Sequence, residues 1–255
     1  MRPNPDFRRR VLAGERLAGT FLNLGSPLTV ELAGLAGYDW LLLDHEHGPG
    51  GDETLLHQLQ AAASTPAVPI VRIAANDPTR MKRVLDAGAH GVMIPYVSRA
   101  DEARAAVAGM RYPPRGQRGV ARFNRAAGFG SSFAEYLAHA HEFLVTMPQI
   151  ETIEGVEQAD AIAAVDGVDV LFVGPLDLTT NLGISGQYEH PQFVAALARV
   201  ADAARRHGKA AGILALDPAH LAPWRALGYT VMALGSDGGA VNAGLRGALG
   251  ALRAP

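Results

Sequence analysis

A (β/α)8 barrel, the TIM-barrel architecture of the α/β class, is the fold this sequence predicts, and three observations predict it. The chain has 255 residues with 48 % hydrophobic side chains, enough for one large core. A local unit recurs in which glycine closes a helix-like segment and a short apolar run follows: AGYDWLLLD at 36–44, AGAHGVMIP at 87–95, VDGVDVLFVG at 165–174 and LGYTVMALG at 227–235. Such glycines read as helix C-caps feeding short αβ loops, and runs this apolar suit parallel strands covered on both faces. The rival, an open doubly wound sheet, lacks its glycine-rich dinucleotide loop, since Gly25-Ser26-Pro27 is no GxGxxG.

Eight strands are expected in order: Thr20 to Leu24, Trp40 to Leu43, Pro69 to Ile73, Gly91 to Ile94, Phe143 to Pro148, Val170 to Val173, Ala210 to Leu214 and Val231 to Leu234. Asp77-Pro78 places an N-cap and a first-turn proline before the helix TRMKRVLDAG. Ser98 to Met110 carries acids in its first turn, and 191–207 is apolar at three-to-four spacing with a basic end. Between Met110 and Phe143 lies an insertion too long for an ordinary connection, expected as an ordered active-site loop with a helix near 131–141. The whole of 1–255 reads as one barrel domain, closed by a final helix in GGAVNAGLRGALGALRAP.

The composition removes several functions. A net charge of −2 without a long basic stretch leaves no electrostatic footprint for nucleic acid, and Arg8-Arg9-Arg10 reads as a solvated end. The absence of cysteine excludes disulfides, thiolate catalysis and iron–sulfur ligation. No apolar run is long enough to span a bilayer, and MRPNPDFRRR is no export signal, so the cytoplasm is the expected compartment.

In a barrel the chemistry belongs at the C-terminal ends of strands. Asp44, His45, Glu46 and His47 end the second strand, Arg72 the third, Gln149 and Glu151 the fifth, and Gly174, Pro175 and Asp177 the sixth. Glu151 and Asp177 read as hard oxygen ligands for Mg²⁺ or Mn²⁺; each could instead be a helix N-cap acid. Arg72 wants an anion, either a substrate carboxylate or an internal acid. His45 and His47 offer a zinc pair, or one of them a proton carrier, or either a plain rim histidine. Only Lys82 and Lys209 are lysines, and neither is placed for a Schiff base, so carbonyl activation points to a Lewis-acid metal.

The segments AGYDWLLLDHEHGPGGD, VRIAANDPTRMKRVLDAGAHGVMIP, RYPPRGQRG, PQIETIEGVEQADAI and GVDVLFVGPLDLTTNLG, in that order, resemble the HpcH/HpaI aldolase family. The resemblance implies reversible aldol chemistry, with pyruvate or hydroxypyruvate as nucleophile, an aldehyde as acceptor and Mg²⁺, Mn²⁺ or Co²⁺ as cofactor. It makes Glu151 and Asp177 the metal ligands, Arg72 the group facing the keto-acid, and His47 the catalytic histidine supported by Asp86. The backbone of Gly174, Leu176 and Asp177 would hold the substrate carboxylate, with Gln149 bracing a ligand or a water. It also implies a homohexamer whose last helix is exchanged between subunits. His45 stands where the family has glycine, and Phe21 and Asn23 where it has tryptophan and glycine; the last two bear on acceptor preference. A metal-dependent hydrolase using both histidines and Asp177, and a non-catalytic keto-acid binding protein, are the other readings.

Overall fold

Eight short apolar runs pair in parallel, each with its successor, and the last closes on the first. The computed structural model describes residues 5–254. Residues 1–4 and 255, part of the expected domain and of the segment weighed for export, lie outside the described residues. The strands are β1 Leu17–Leu22, β2 Trp40–Asp44, β3 Val68–Arg72, β4 Gly91–Ile94, β5 Val145–Ile150, β6 Val170–Val173, β7 Ala210–Ala215 and β8 Tyr229–Ser236. β4 and β6 coincide with their expected ranges. β1 is displaced toward the N-terminus, because the chain leaves the sheet at Asn23, whose N–H donates to the Asp237 carboxylate at 2.8 Å.

Strand alternation divides the core in two. Trp40 and Leu42, Val68 and Ile70, Val145 and Met147, and Val170 and Phe172 fill the barrel interior. Leu41, Leu43, Val71, Ile150 and Leu171 face outward into the layer beneath the helices. Large and small residues interlock inside. The Trp40 indole meets Phe172 edge-on at 6.0 Å and occupies the space that a Cβ on Gly19 would need. Inward alternation carried one step past each core residue delivers Asp44, Arg72 and Gln149 to the C-terminal mouth.

The N-terminal mouth is shut. Helix Pro5–Leu12 lays Phe7 and Val11 against the interior cluster. Two of its arginines are structural rather than merely solvated, Arg8 pairing with buried Asp169 at 2.8 Å and Arg10 with Asp39 at 2.9 Å, while Arg9 stays in solvent beside Asp6.

The insertion is ordered and carries helix Phe133–Phe143, but within one chain it lies at this closed end, away from the site. It joins a helix to a strand, and αβ connections lie on the rim opposite the strand tips. Arg125 donates to the carbonyls of Ala87 and Leu59 at 2.8 and 3.2 Å, and the Ala126 N–H to that of Asp86 at 3.0 Å. Arg118, fully enclosed, sits 4.5 Å over the Tyr112 ring and pairs with Asp86 at 2.6 Å.

The final helix, Asp237–Arg253, buries only Asp237. Leu245 and Leu252 stand in solvent, as do Leu28, Leu32 and Leu35 on helix Pro27–Leu35, and a cavity of about 600 Å³ opens between the starts of the two helices.

Candidate active site

The site is assembled from strand tips that share one parity. Asp44 is buried at the end of β2 and receives Arg72 in bidentate fashion, Nε to Oδ1 at 2.9 Å and Nη2 to Oδ2 at 2.7 Å. The third guanidinium nitrogen, Nη1, reaches Glu46 at 3.0 Å. Arg72 also lies 5.3 Å over the Phe21 ring, a cation–π contact from below. Burial works against the Arg72 charge, but the Asp44 hydrogen bonds and the Asp44 and Glu46 charges outweigh it and hold the group above its ordinary value. Burial also pushes Asp44 up, and Arg72 brings it net below the usual carboxylate range. For Arg72 the internal acid therefore forms, and the guanidinium is fixed by its contacts to Asp44 and Glu46.

The bend after β2 separates the two histidines: the strand ends at Asp44, whose Oδ1 accepts from the Glu46 and His47 N–H groups at 3.2 and 3.3 Å. His45 points outward, its Nε2 2.9 Å from the Gln58 side chain on helix Asp52–Ala62, and is buried there. His47 stands exposed at the mouth, 4.0 Å from Glu46. The bend continues past His47, where Gly48 passes so close to the Asp44 carbonyl that a side chain would not fit. No zinc pair forms from two histidines that face opposite ways.

Glu151 follows β5 and is almost wholly buried. Gln149, equally buried, donates from Nε2 to its Oε1 at 2.8 Å, and the Tyr96 N–H donates to its Oε2 at 3.1 Å. Burial, with the charges of Asp177 and Glu46 added, pushes the Glu151 carboxyl up to about 7 against the Tyr96 hydrogen bond. Gly174, the N-cap of helix Pro175–Asn181, carries no Cβ because Glu151 occupies that space. Asp177 lies in the first turn of that helix, and its Oδ1 accepts from the Tyr96 hydroxyl at 3.0 Å. The hydrogen bond to Asp177 is the main cause that raises Tyr96 to about 12, so the phenol remains a donor. Leu176 is half-exposed beside it.

Neither acid is a helix cap. Thr152 caps the helix after Glu151, accepting from the Gly155 N–H at 2.9 Å, and Gly174 holds the N-cap position ahead of Asp177. Among the described residues Asp177 Oδ2 takes no hydrogen bond. The free Asp177 oxygen, beside the Glu151 carboxyl that burial and two other acids raise to about 7, is a hard donor suited to a divalent cation. Among the described residues no group of three or more His, Cys, Asp or Glu is arranged to hold a metal ion, so protein ligation would be limited to two side chains.

One expected residue does not join the others. Asp86 ends helix Pro78–Asp86 at the closed rim, paired with Arg118, and within one chain it does not reach His47. Asp44 and Glu46 hold Arg72, roles that their place beside the histidines hinted at without assigning. Tyr96 was unforeseen; its only signal is its place just past the tip of β4.

The profile of the HpcH/HpaI aldolase/citrate lyase family matches residues 17–243. The chain belongs to this family. It is 42 % identical over 231 residues to a 5-keto-4-deoxy-D-glucarate aldolase of Shigella dysenteriae serotype 1, covering 91 % of this chain and 90 % of the relative. It is equally 42 % identical over 231 residues to a hydroxypyruvate/pyruvate aldolase of Pseudomonas aeruginosa, covering 91 % and 86 %. Among solved structures, an HpcH/HpaI aldolase/citrate lyase family protein from Burkholderia cenocepacia J2315 superposes with a TM-score of 0.94 at 39 % identity, covering 98 % of this chain and all of that one.

Proposed function

We propose that this member of the HpcH/HpaI family is a class II aldolase that cleaves and forms 2-oxo acids, with pyruvate or hydroxypyruvate on one side and an aldehyde on the other. The observation that carries the reading is the convergence of Glu151, Asp177 and a fixed Arg72 on one mouth of a chain whose relatives bear aldolase names. Glu151 and Asp177 would hold a divalent cation, Mg²⁺, Mn²⁺ or Co²⁺, with water and substrate completing its shell. When bound, the cation supplies Lewis-acid polarisation of the C2 carbonyl and the C1 carboxylate.

The remaining work falls to the chain's own residues. The first-turn amides of helix Pro175–Asn181 have no acceptor within the helix, so the backbone at Gly174, Leu176 and Asp177 can receive the substrate carboxylate. Arg72, already charged and immobile, stabilises the oxygen that becomes an enolate. In cleavage His47 takes the C4 hydroxyl proton as the C3–C4 bond breaks. The electron pair of that bond goes to C3, C4 becomes the aldehyde carbonyl, and the enolate is then protonated at C3. Condensation reverses each step. Asp86 can support His47 only across a subunit boundary, and the bare apolar faces of the final helix and of Pro27–Leu35 favour a helix-exchanged assembly, a hexamer by family resemblance.

The test is C3 deuterium exchange of pyruvate and hydroxypyruvate, followed by NMR after reloading metal-free protein with each cation. Exchange with at least one ion, and consumption of the keto-acid when an aldehyde is added, is expected. No exchange with any ion overturns the reading.

A further inference from the structure

Tyr96 touches both acids that the proposed function assigns to the cation, and it does so from a backbone conformation that tyrosine rarely adopts. Its φ is +52°, in the left-handed region, where a residue with a Cβ is disfavoured. Neighbours impose that conformation. Ile94 is paired with Pro148 in the sheet, and the Val97 N–H donates to the Gln149 carbonyl at 3.1 Å, so the chain is fixed on either side. The Ser98 hydroxyl lies 2.7 Å from that of Thr152, the residue after Glu151. Holding φ positive turns the Tyr96 N–H onto Glu151 Oε2 at 3.1 Å and lets the ring cross the mouth to place its hydroxyl 3.0 Å from Asp177 Oδ1.

We propose that Tyr96 is a positioning residue that sets cation affinity by fixing Glu151 through its amide and Asp177 through its hydroxyl, a role that rests on the aldolase reading above. The arrangement has a specific logic. Glu151 is braced on both oxygens, by Gln149 and by Tyr96, and cannot rotate away. Asp177 rides on the first turn of a seven-residue helix, and Tyr96 is the residue that ties its side chain across to the opposite acid. The hydroxyl occupies one oxygen and leaves the other for the ion. Held this way, the two carboxylates meet the cation without first losing rotamer freedom, which is how a bracing hydrogen bond raises metal affinity. The ring itself is half-exposed, so the contact to Asp177 is not a by-product of core filling.

The opposite outcome is physically possible and makes the proposal testable. Were the hydroxyl to compete with the ion for Asp177, removing it would tighten binding. Mn²⁺ is titrated into metal-free wild type, Tyr96→Phe and Asp177→Ala, with binding read by water-proton relaxation and by electron paramagnetic resonance of free Mn²⁺. Thermal unfolding of each metal-free protein serves as the folding control. Tyr96→Phe keeps the amide and the ring, so the Mn²⁺ dissociation constant is expected to rise about tenfold, the scale of one hydrogen bond to a charged group. The melting temperature should stay at the wild-type value, and turnover at saturating Mn²⁺ should recover to within about twofold. A dissociation constant unchanged or lower in Tyr96→Phe overturns the proposal while leaving the cation site standing. If wild type binds no Mn²⁺, or Asp177→Ala binds it as wild type does, the cation reading fails and this proposal falls with it.

Discussion

Each end of the barrel holds a buried arginine, and the two are built differently. Arg118 at the closed end is fully enclosed: Tyr112 and Tyr136 face its guanidinium, Asp86 pairs with it, and among the described residues its Nε has no hydrogen-bond partner. Arg72 at the open end has all three nitrogens engaged by Asp44 and Glu46, yet its side chain keeps a residual 9 % exposure. A guanidinium whose every direction is taken by protein serves the fold. One whose in-plane hydrogen bonds are filled by two acids is locked in place and still offers its charge to whatever enters. Two acids for one base is also more negative charge than the arginine alone would require, and that surplus lies on the side where a cation is proposed.

The sharpest way to break this contrast is Arg72→Lys. Lysine keeps the charge but cannot fill the bidentate fork, so turnover should fall by about a thousandfold while the thermal midpoint moves little. Steady-state kinetics and a melting curve on one preparation test this, and a variant with near-native turnover would show that immobility is irrelevant. At the other end Arg118→Met should lower unfolding free energy by about 3 kcal/mol, by stranding Asp86 and two aromatic faces; denaturant titration reads it.

The histidine pair extends the contrast from ends to faces. His47→Ala should reduce turnover about a hundredfold, whereas His45→Gln, which changes an outward-facing contact with Gln58, should stay within about threefold. Equal losses in the two would mean that the outward orientation of His45 does not survive in solution.

The smallest effect concerns pH. Glu151 has its folded-state pKa raised to about 7 from an ordinary value of 4.5, so the metal-free fold holds a proton that the unfolded chain releases. That contribution is complete below the unfolded value and is lost as pH rises through about 7. Metal-free wild type should therefore lose about 2 kcal/mol of stability between pH 5 and pH 8, and Glu151→Gln should remove most of the slope. Denaturant midpoints of the two proteins across that range decide it.

Much of this was legible beforehand, for identifiable reasons. Glycine followed by an apolar run marks a helix end and a strand start with one short signal, and it located β2, β4, β6 and β8. β1 has no such lead-in, and Asn23 and Leu24 look like strand until the Asp237 bond draws the chain away. The insertion was found by length; within one chain its place after a helix and before a strand puts it at the closed end. For Glu151, Asp177 and Arg72, position past a strand tip was enough to bring them together. Choosing His47 over His45 needed the knowledge that the strand stops at Asp44, whose carboxylate bends the chain before His47. Tyr96 was invisible because a positive φ on tyrosine is imposed by its neighbours' hydrogen bonds, with no glycine to advertise it. Asp86 ends its helix at the closed rim, paired with Arg118, and does not reach His47 within one chain, a placement that no strand pattern encodes.

Helix Pro5–Leu12 stoppers the barrel from below, with Phe7 and Val11 meeting an interior already filled by Trp40 and Phe172. Traffic is thereby confined to one doorway. Under the proposed function the keto-acid would settle deepest, against the amides at Gly174 and the charge of Arg72, and would come in before the aldehyde and go out after it. Product inhibition by the keto-acid should accordingly be competitive toward the aldol substrate, while the aldehyde should show a mixed pattern.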